Sequence, residues 1–229
     1  MIRNICFDLD DTLLDFRQAE RAALTEVLTD FGISVTDALP ARYAAINAGY
    51  WKRLERGELT RDDLKQVRFC DLFRESGITD VSPAAVSEAY EARLGRQYFL
   101  IPQAKETLEK LRGSYRLFAA SNGTGSIQRA RLAGAGIDRF FEGIFLSGEI
   151  GVQKPSAAFF DCIFLRFPEL VRSETVMIGD SLSSDITGGK RAGLRTVLFA
   201  PAGQNGSVPV QPDATVRTLP ELETVLKTL

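Results

Sequence analysis

Short apolar runs recur along the chain, and each stops at small or polar residues. They cover residues 2–7, 117–120, 144–146, 176–178 and 196–200. They end at Asp8, at Ser121-Asn122-Gly123, at Ser147-Gly148, at Gly179-Asp180 and at Pro201. The runs are rich in β-branched and aromatic residues and do not alternate with polar ones, which suits strands buried on both faces of a parallel sheet. Helical patterns lie between them, over residues 104–111 with Pro102 at the start and Gly113 at the close, 126–132, 157–167, and 185–192 closed by Gly193. Strand–helix alternation of this kind predicts right-handed βαβ units and an α/β, doubly wound, Rossmann-like core.

Residues 15–95 break the rhythm, with no good strand and four helical stretches. The first, 19–31, ends at Gly32, and the second, 41–56, ends at Gly57. Thr60-Arg61-Asp62-Asp63 has the form of a capping box and opens a third helix that runs to about residue 76. Ser82-Pro83 opens a fourth that runs to about residue 98. The expected organisation is therefore a core of residues 1–14 and 96–229 carrying an inserted all-helical domain of residues 15–95, with hinges near 14–17 and 95–102. Residues 203–212 read as a loop and 220–226 as a last short helix.

Charge and composition then restrict the chemistry. The 229 residues include 28 Lys+Arg, 30 Asp+Glu and no histidine, for a formal net charge of -2. Without histidine there is no Ser-His-Asp or Cys-His nucleophile, no histidine zinc site and no imidazole shuttle. The lack of a basic excess argues against a nucleic-acid polymer as partner. Cys6, Cys70 and Cys162 are odd in number and form no CxxC pair, which points to a reduced, cytoplasmic protein. The N-terminus leaves no room for a signal-peptide apolar region, and no apolar run is long enough for a membrane span.

The first strand ends in Asp8-Leu9-Asp10-Asp11-Thr12. Carboxylates this close repel by about 4 kcal/mol per pair at 4 Å and an effective dielectric near 20, so something positive belongs beside them. An EF-hand does not fit, because Leu13 and Ala19 stand where Gly and Glu are required. A later strand ends in Gly179-Asp180-Ser181-Leu182-Ser183-Ser184-Asp185. Ligands of open α/β sheets bind outside the carboxyl ends of the strands, so Asp8, Asp10, Asp180 and Asp185 converge, and an oxygen-only ligand set favours Mg²⁺. Ser121-Asn122-Gly123-Thr124-Gly125 precedes a helix and offers a hydroxyl and backbone N–H groups to an anion. It is not a GxGxxG loop, since Gln128 occupies the third glycine position. Gly188-Gly189-Lys190 is not a P-loop, because Ser184 and Arg191 stand at two required positions. Lys154-Pro155 places a cation after the third strand.

In this order, Asp8-Leu9-Asp10-Asp11-Thr12, Ser121, Lys154, and Gly179-Asp180 through Asp185 resemble the four motifs of the haloacid dehalogenase superfamily over the whole chain. The helical insert resembles its C1 cap. The resemblance implies a Mg²⁺-dependent phosphatase with Asp8 as nucleophile, Asp10 as general acid and base, and Ser121 and Lys154 holding the phosphoryl group. It implies metal ligation by the Asp8 carboxylate, the Asp10 carbonyl, Asp180 and Asp185, and phosphoryl contacts from the N–H groups of Leu9 and Asn122. Trp51-x-x-Leu54-x-x-Gly57-x-Leu59-Thr60, Arg68-Phe69, Asn122-Gly123 and Arg129-x-Arg131-Leu132 resemble the pyrimidine 5′-nucleotidase branch. There Trp51, Tyr50 or Phe16 is expected to stack on a base, making a small phosphomonoester, a nucleoside 5′-monophosphate, the expected substrate. A sugar-phosphate or phosphoglycolate phosphatase, a phosphomutase and a non-catalytic binding protein remain as alternatives. A dehalogenase does not need the second aspartate, and Asp10 is present.

Overall fold

Six strands pair in parallel in the order β3-β2-β1-β4-β5-β6. They are β1 (Asn4–Phe7), β2 (Arg116–Ser121), β3 (Gly143–Leu146), β4 (Thr175–Gly179), β5 (Arg195–Phe199) and β6 (Ala214–Val216). The computed structural model describes residues 1–203 and 210–229. The doubly wound α/β expectation is met, and the reason lies in the strands themselves. Ile5 and Phe7 of β1 join Leu117, Ala119, Val176 and Ile178 in one apolar cluster, while Cys6 joins Phe118, Ala120 and Met177 in a second. Successive side chains of a strand point to opposite faces, so a non-alternating apolar run requires cover on both sides. Leu108 and Leu111 of α5 (Ala104–Leu111) and Leu132 of α6 (Gly125–Ala135) cover the first face. Phe159, Phe160 and Ile163 of α8 (Ala157–Arg166) cover the second. A short helix α7 (Ser147–Ile150) follows β3 directly.

Strand β1 pairs with β2 on one side and β4 on the other, so the direction of winding reverses there. In open α/β sheets the crevice at such a reversal is where ligands bind. The C-terminal ends of β1, β2 and β4 carry Asp8, Ser121 and Asp180.

Several expectations need correction. Strand β6 was not anticipated, because three residues give too short an apolar pattern to separate from a loop. Helix α5 spans Ala104–Leu111 as expected, but Gln103 is its N-cap, so Pro102 lies outside the helix rather than at its start. The Ala104 amide donates to the Ile101 carbonyl at 3.0 Å, and Gln103 has φ 64°, so Pro102 sets the first corner of a tight turn. The segment expected as one helix over 185–192 is a π-helical turn, Leu182–Ile186, followed by α9 (Thr187–Arg191). The final segment is a 3₁₀ turn, Leu219–Glu221, followed by α10 (Leu222–Val225). Of the loop expected over 203–212, residues 204–209 lie outside the described residues.

The chain divides into two compact units, one made of Met1–Asp15 and Phe99–Leu229, the other of Phe16–Tyr98. The second unit is all-helical: α1 (Phe16–Asp30), α2 (Ala38–Glu55), α3 (Arg61–Ser76) and α4 (Pro83–Leu94). Helix α4 ends at Leu94 with Gly95 at its C-cap, earlier than the sequence pattern suggests. The capping box at Thr60 is present, with the Asp63 amide donating to Thr60 Oγ1 at 3.1 Å and the Thr60 amide donating to Asp63 Oδ2 at 2.9 Å. Helices α1 and α3 are followed by Gly32 and Gly77 at φ 72° and 67°, a region where side chains other than glycine's are strained. Tyr43, Phe69 and Tyr90 form an aromatic centre with ring centroids 5.0–5.4 Å apart.

Candidate active site

Strand β1 delivers Asp8 into a buried position, 7% exposed, with its amide donating to the Ile178 carbonyl of β4 at 2.8 Å. The chain then turns tightly. The Leu9 carbonyl accepts from the amides of Thr12, Leu13 and Leu14, and Asp11 sits at φ 57°. Aspartate tolerates this left-handed conformation better than most residues do. Thr12 Oγ1 donates weakly to Asp8 Oδ2 at 3.4 Å.

Lys154 is the centre of charge. It is 1% exposed, and its ammonium donates to Asp8 Oδ1 at 2.7 Å, to Asp185 Oδ1 at 2.7 Å and to the Ala120 carbonyl at 2.5 Å. All three of its N–H bonds are thereby used. Burial alone would depress the lysine, but Asp185 and Asp8 outweigh it and hold the ammonium above its ordinary range. Asp8 is pushed up to about 7, chiefly by burial, with Asp185 and Asp10 adding repulsion and Lys154 opposing. Asp180 is partly exposed at the rim, and it too is raised well above the usual carboxylate range by desolvation, Asp8, Asp185 and Asp11.

Asp8, Asp180 and Asp185 bring ligand oxygens within 4.8 Å of one another. Two of these carboxylates are held away from their ordinary ionised state by burial and mutual repulsion. Oxygen-only donors under such repulsion fit a hard divalent cation, which relieves both. Asp10 does not join this cluster through its carboxylate. Its Oδ1 pairs with Arg131, and its Oδ2 accepts from Gln128 Nε2 at 2.8 Å.

Asp185 depends on a missing side chain. A Cβ on Gly179 would lie 2.1 Å from Asp185 Oδ2, which also accepts from the Ser181 amide at 3.1 Å. Asp185 cannot retreat, because its other oxygen is tied to Lys154. Gly179→Ala is therefore expected to destabilise the protein by about 1–3 kcal/mol, the usual range for overpacking, read as a lower denaturant midpoint.

Strand β2 ends in Ser121, whose Oγ accepts from the Gly123 amide at 3.0 Å and from Gln128 Nε2 at 2.9 Å. With both lone pairs occupied, the hydroxyl proton is left to donate, which suits an anion. Gly123 is needed for packing, since a Cβ there would lie 2.6 Å from the Gln128 side chain. The side chain of Asn122 does something the sequence did not suggest. Its Nδ2 donates to the Lys154 carbonyl and its Oδ1 accepts from the Lys154 amide, both at 2.9 Å. It thus fixes the backbone that presents the lysine.

Trp51 belongs to the helical unit, on α2, where it is half-buried with the Arg61 guanidinium 5.8 Å from its ring. Tyr50 donates to Asp71 on α3. Arg68 is buried among Asn47, Glu91 and the rings of Phe69 and Tyr90. It works as a scaffold for the unit.

Residues 2–193 match the haloacid dehalogenase-like hydrolase family. The chain belongs to it. It is accordingly an enzyme, a hydrolase. Among curated relatives of this hydrolase, YfnB of Bacillus subtilis, described as a HAD-hydrolase, is 36% identical over 98% of this chain and 95% of its own. The pyrimidine 5′-nucleotidase PynA of Streptococcus pneumoniae is 34% identical over 95% and 92%. The pyrimidine 5′-nucleotidase YjjG of Escherichia coli is 30% identical over 97% and 96%. The crystal structure of YfnB bound to magnesium superposes with a TM-score of 0.93 at 36% identity, covering 98% of each chain.

Proposed function

We propose that this hydrolase cleaves small phosphomonoesters, nucleoside 5′-monophosphates in particular, through an aspartyl-phosphate on Asp8 and with Mg²⁺ as cofactor. The observation that carries the reading is the buried Asp8 carboxylate gripped by Lys154, beside Asp180 and Asp185 and near a serine hydroxyl left with its proton to donate. Two relatives named as pyrimidine 5′-nucleotidases support the narrower substrate class.

In this reading an oxygen of Asp8 attacks phosphorus while the ester P–O bond breaks. The Asp10 carboxyl gives its proton to the departing oxygen and then, as carboxylate, takes one from water. The oxygen of that water attacks the phosphorus, the bond to Asp8 breaks, and inorganic phosphate leaves. Ser121 donates to a phosphoryl oxygen, and Lys154 offsets the negative charge that gathers around Asp8. The Leu9 and Asn122 amides are the natural further donors to that group. A divalent cation held by Asp8, Asp180, Asp185 and the Asp10 carbonyl would supply charge stabilisation for the phosphoryl group. The helical unit Phe16–Tyr98 serves as the cap, with Trp51 as a base-stacking residue. The three free cysteines fit a cytoplasmic setting, and no helix among the described residues is long and apolar enough to cross a membrane.

The test is a phosphate-release screen over nucleoside monophosphates, sugar phosphates and small phosphorylated acids, with and without chelator. Release from none of them, or release indifferent to chelator, overturns the reading. A second measurement isolates the metal. Asp8 is raised from 3.8 to about 7, so between those values the folded protein binds more protons than the unfolded chain and this group lowers stability as pH rises. Mg²⁺ must displace that proton. The thermal midpoint of the metal-free protein is therefore expected to rise by several degrees with saturating Mg²⁺ at about pH 8, and by clearly less at about pH 5.5. A shift equal at both pH values would contradict the ligand set.

A further inference from the structure

Gln128 first appears only as the residue that spoils a glycine motif, yet in the folded chain it lies at the centre of a buried polar relay. Its Nε2 donates to both Ser121 Oγ at 2.9 Å and Asp10 Oδ2 at 2.8 Å, and its Oε1 accepts from Arg131 at 2.9 Å. Arg131, three residues on along α6 and 1% exposed, forms an ion pair with Asp10 Oδ1. Residues three apart share one face of a helix, so a single face of α6 holds both oxygens of Asp10. A carboxylate has about four acceptor sites, and two are occupied here. The remaining ones stay available for a proton, while the group itself has lost its rotational freedom. Gly123 keeps the space into which Gln128 fits.

We propose that Gln128 and Arg131 are positioning residues for proton transfer: they fix the Asp10 carboxyl group, and Gln128 ties its placement to that of the Ser121 hydroxyl. The inference rests on the phosphatase reading and deepens it. Donor to the phosphoryl group and proton-transfer group are set by one carboxamide, so they keep their mutual spacing. An angstrom of misplacement at a reacting centre costs up to about a hundredfold in rate. General acid–base assistance as a whole is worth about 10²–10⁴-fold.

The test compares Gln128→Met, Arg131→Met and Arg131→Lys on two substrates. Uridine 5′-monophosphate has an alkoxide leaving group that needs a proton, whereas 4-nitrophenyl phosphate has one that leaves without it. In single turnover, both Met variants are expected to slow release of the alcohol from uridine 5′-monophosphate by about 10–100-fold and to slow nitrophenolate release much less. KM should stay within about threefold, and Arg131→Lys, which keeps the charge but not the fork, should recover part of the loss. Equal slowing on both substrates would overturn the inference and leave Gln128 and Arg131 as structural supports, as would a raised KM at unchanged kcat. If Arg131→Met does not fold, Gln128→Met, close in volume, decides alone. A wild-type enzyme inactive on both substrates would instead sink the phosphatase reading, and the inference with it; an active wild type with unaffected variants would sink only the inference.

Discussion

Asp8→Asn is expected to abolish turnover, by at least roughly 10⁴-fold, because the amide cannot form the acyl phosphate on which both halves of the proposed reaction depend. The substitution keeps size and shape. Because Asp8 is buried and held partly protonated by its surroundings, the loss should come without unfolding. The amide also removes one negative charge from the cluster around Asp180 and Asp185, so the metal-free variant is expected to be at least as stable as the wild type. The two readouts are steady-state phosphate release and a denaturant midpoint. A variant that retained even a hundredth of wild-type activity would show that the nucleophile lies elsewhere.

Lys154→Met should be nearly as damaging and for two separable reasons. The ammonium offsets the charge of Asp8 and Asp185 at once, and loss of a single preorganised electrostatic group in an active site costs about 10²–10³-fold in kcat. Unlike Asp8→Asn, this change also leaves two buried carboxylates without their cation, and breaking a buried pair in that way costs about 3–5 kcal/mol. The sign of the pH dependence follows. In the wild type Asp8 already sits near 7, and without the lysine that opposes its rise it sits higher. The stability lost in the variant should thus return as pH falls and Asp8 takes up its proton. Denaturant midpoints at about pH 5 and pH 8 in the presence of chelator check this. A penalty that does not shrink at the lower pH would mean that Lys154 acts through packing alone.

The strands were legible because a sheet covered on both faces needs apolar runs, and those at residues 5–7 and 176–178 each stop abruptly at an acidic turn, unlike Ala214-Thr215-Val216, which a polar residue interrupts. The chemistry at their ends was legible because clustered carboxylates are costly and rarely placed without cause. What escaped notice was of another kind. Asn122 looked like a ligand-binding residue, and its side chain turns out to brace the backbone of Lys154 from 32 positions away in sequence. Gln128 and Arg131 carried a faint signal, a polar pair at helical spacing just after Ser121. Nothing in sequence says that such a pair faces inward, since polar residues at i and i+3 are ordinary on a solvated helix. The turn at Pro102 was misread for a similar reason, because proline suits both a helix start and the first corner of a turn.

The order of the strands also bears on how the chain is made. Asp8 and the lysine that grips it are 146 positions apart in the chain, with the lysine made later. At a pace of roughly 5–20 residues per second the strand that leads into Asp8 waits about 7–30 s for that lysine. The four helices of Phe16–Tyr98 form one compact unit and can fold in the meantime, whereas β1 cannot be flanked on both sides until β4 emerges. A ribosome-bound chain therefore carries an apolar strand with an open edge until β4 is made, the kind of surface that holdase chaperones engage. The set of charges around Asp8 is complete only once Asp185 has been added, 177 positions after it.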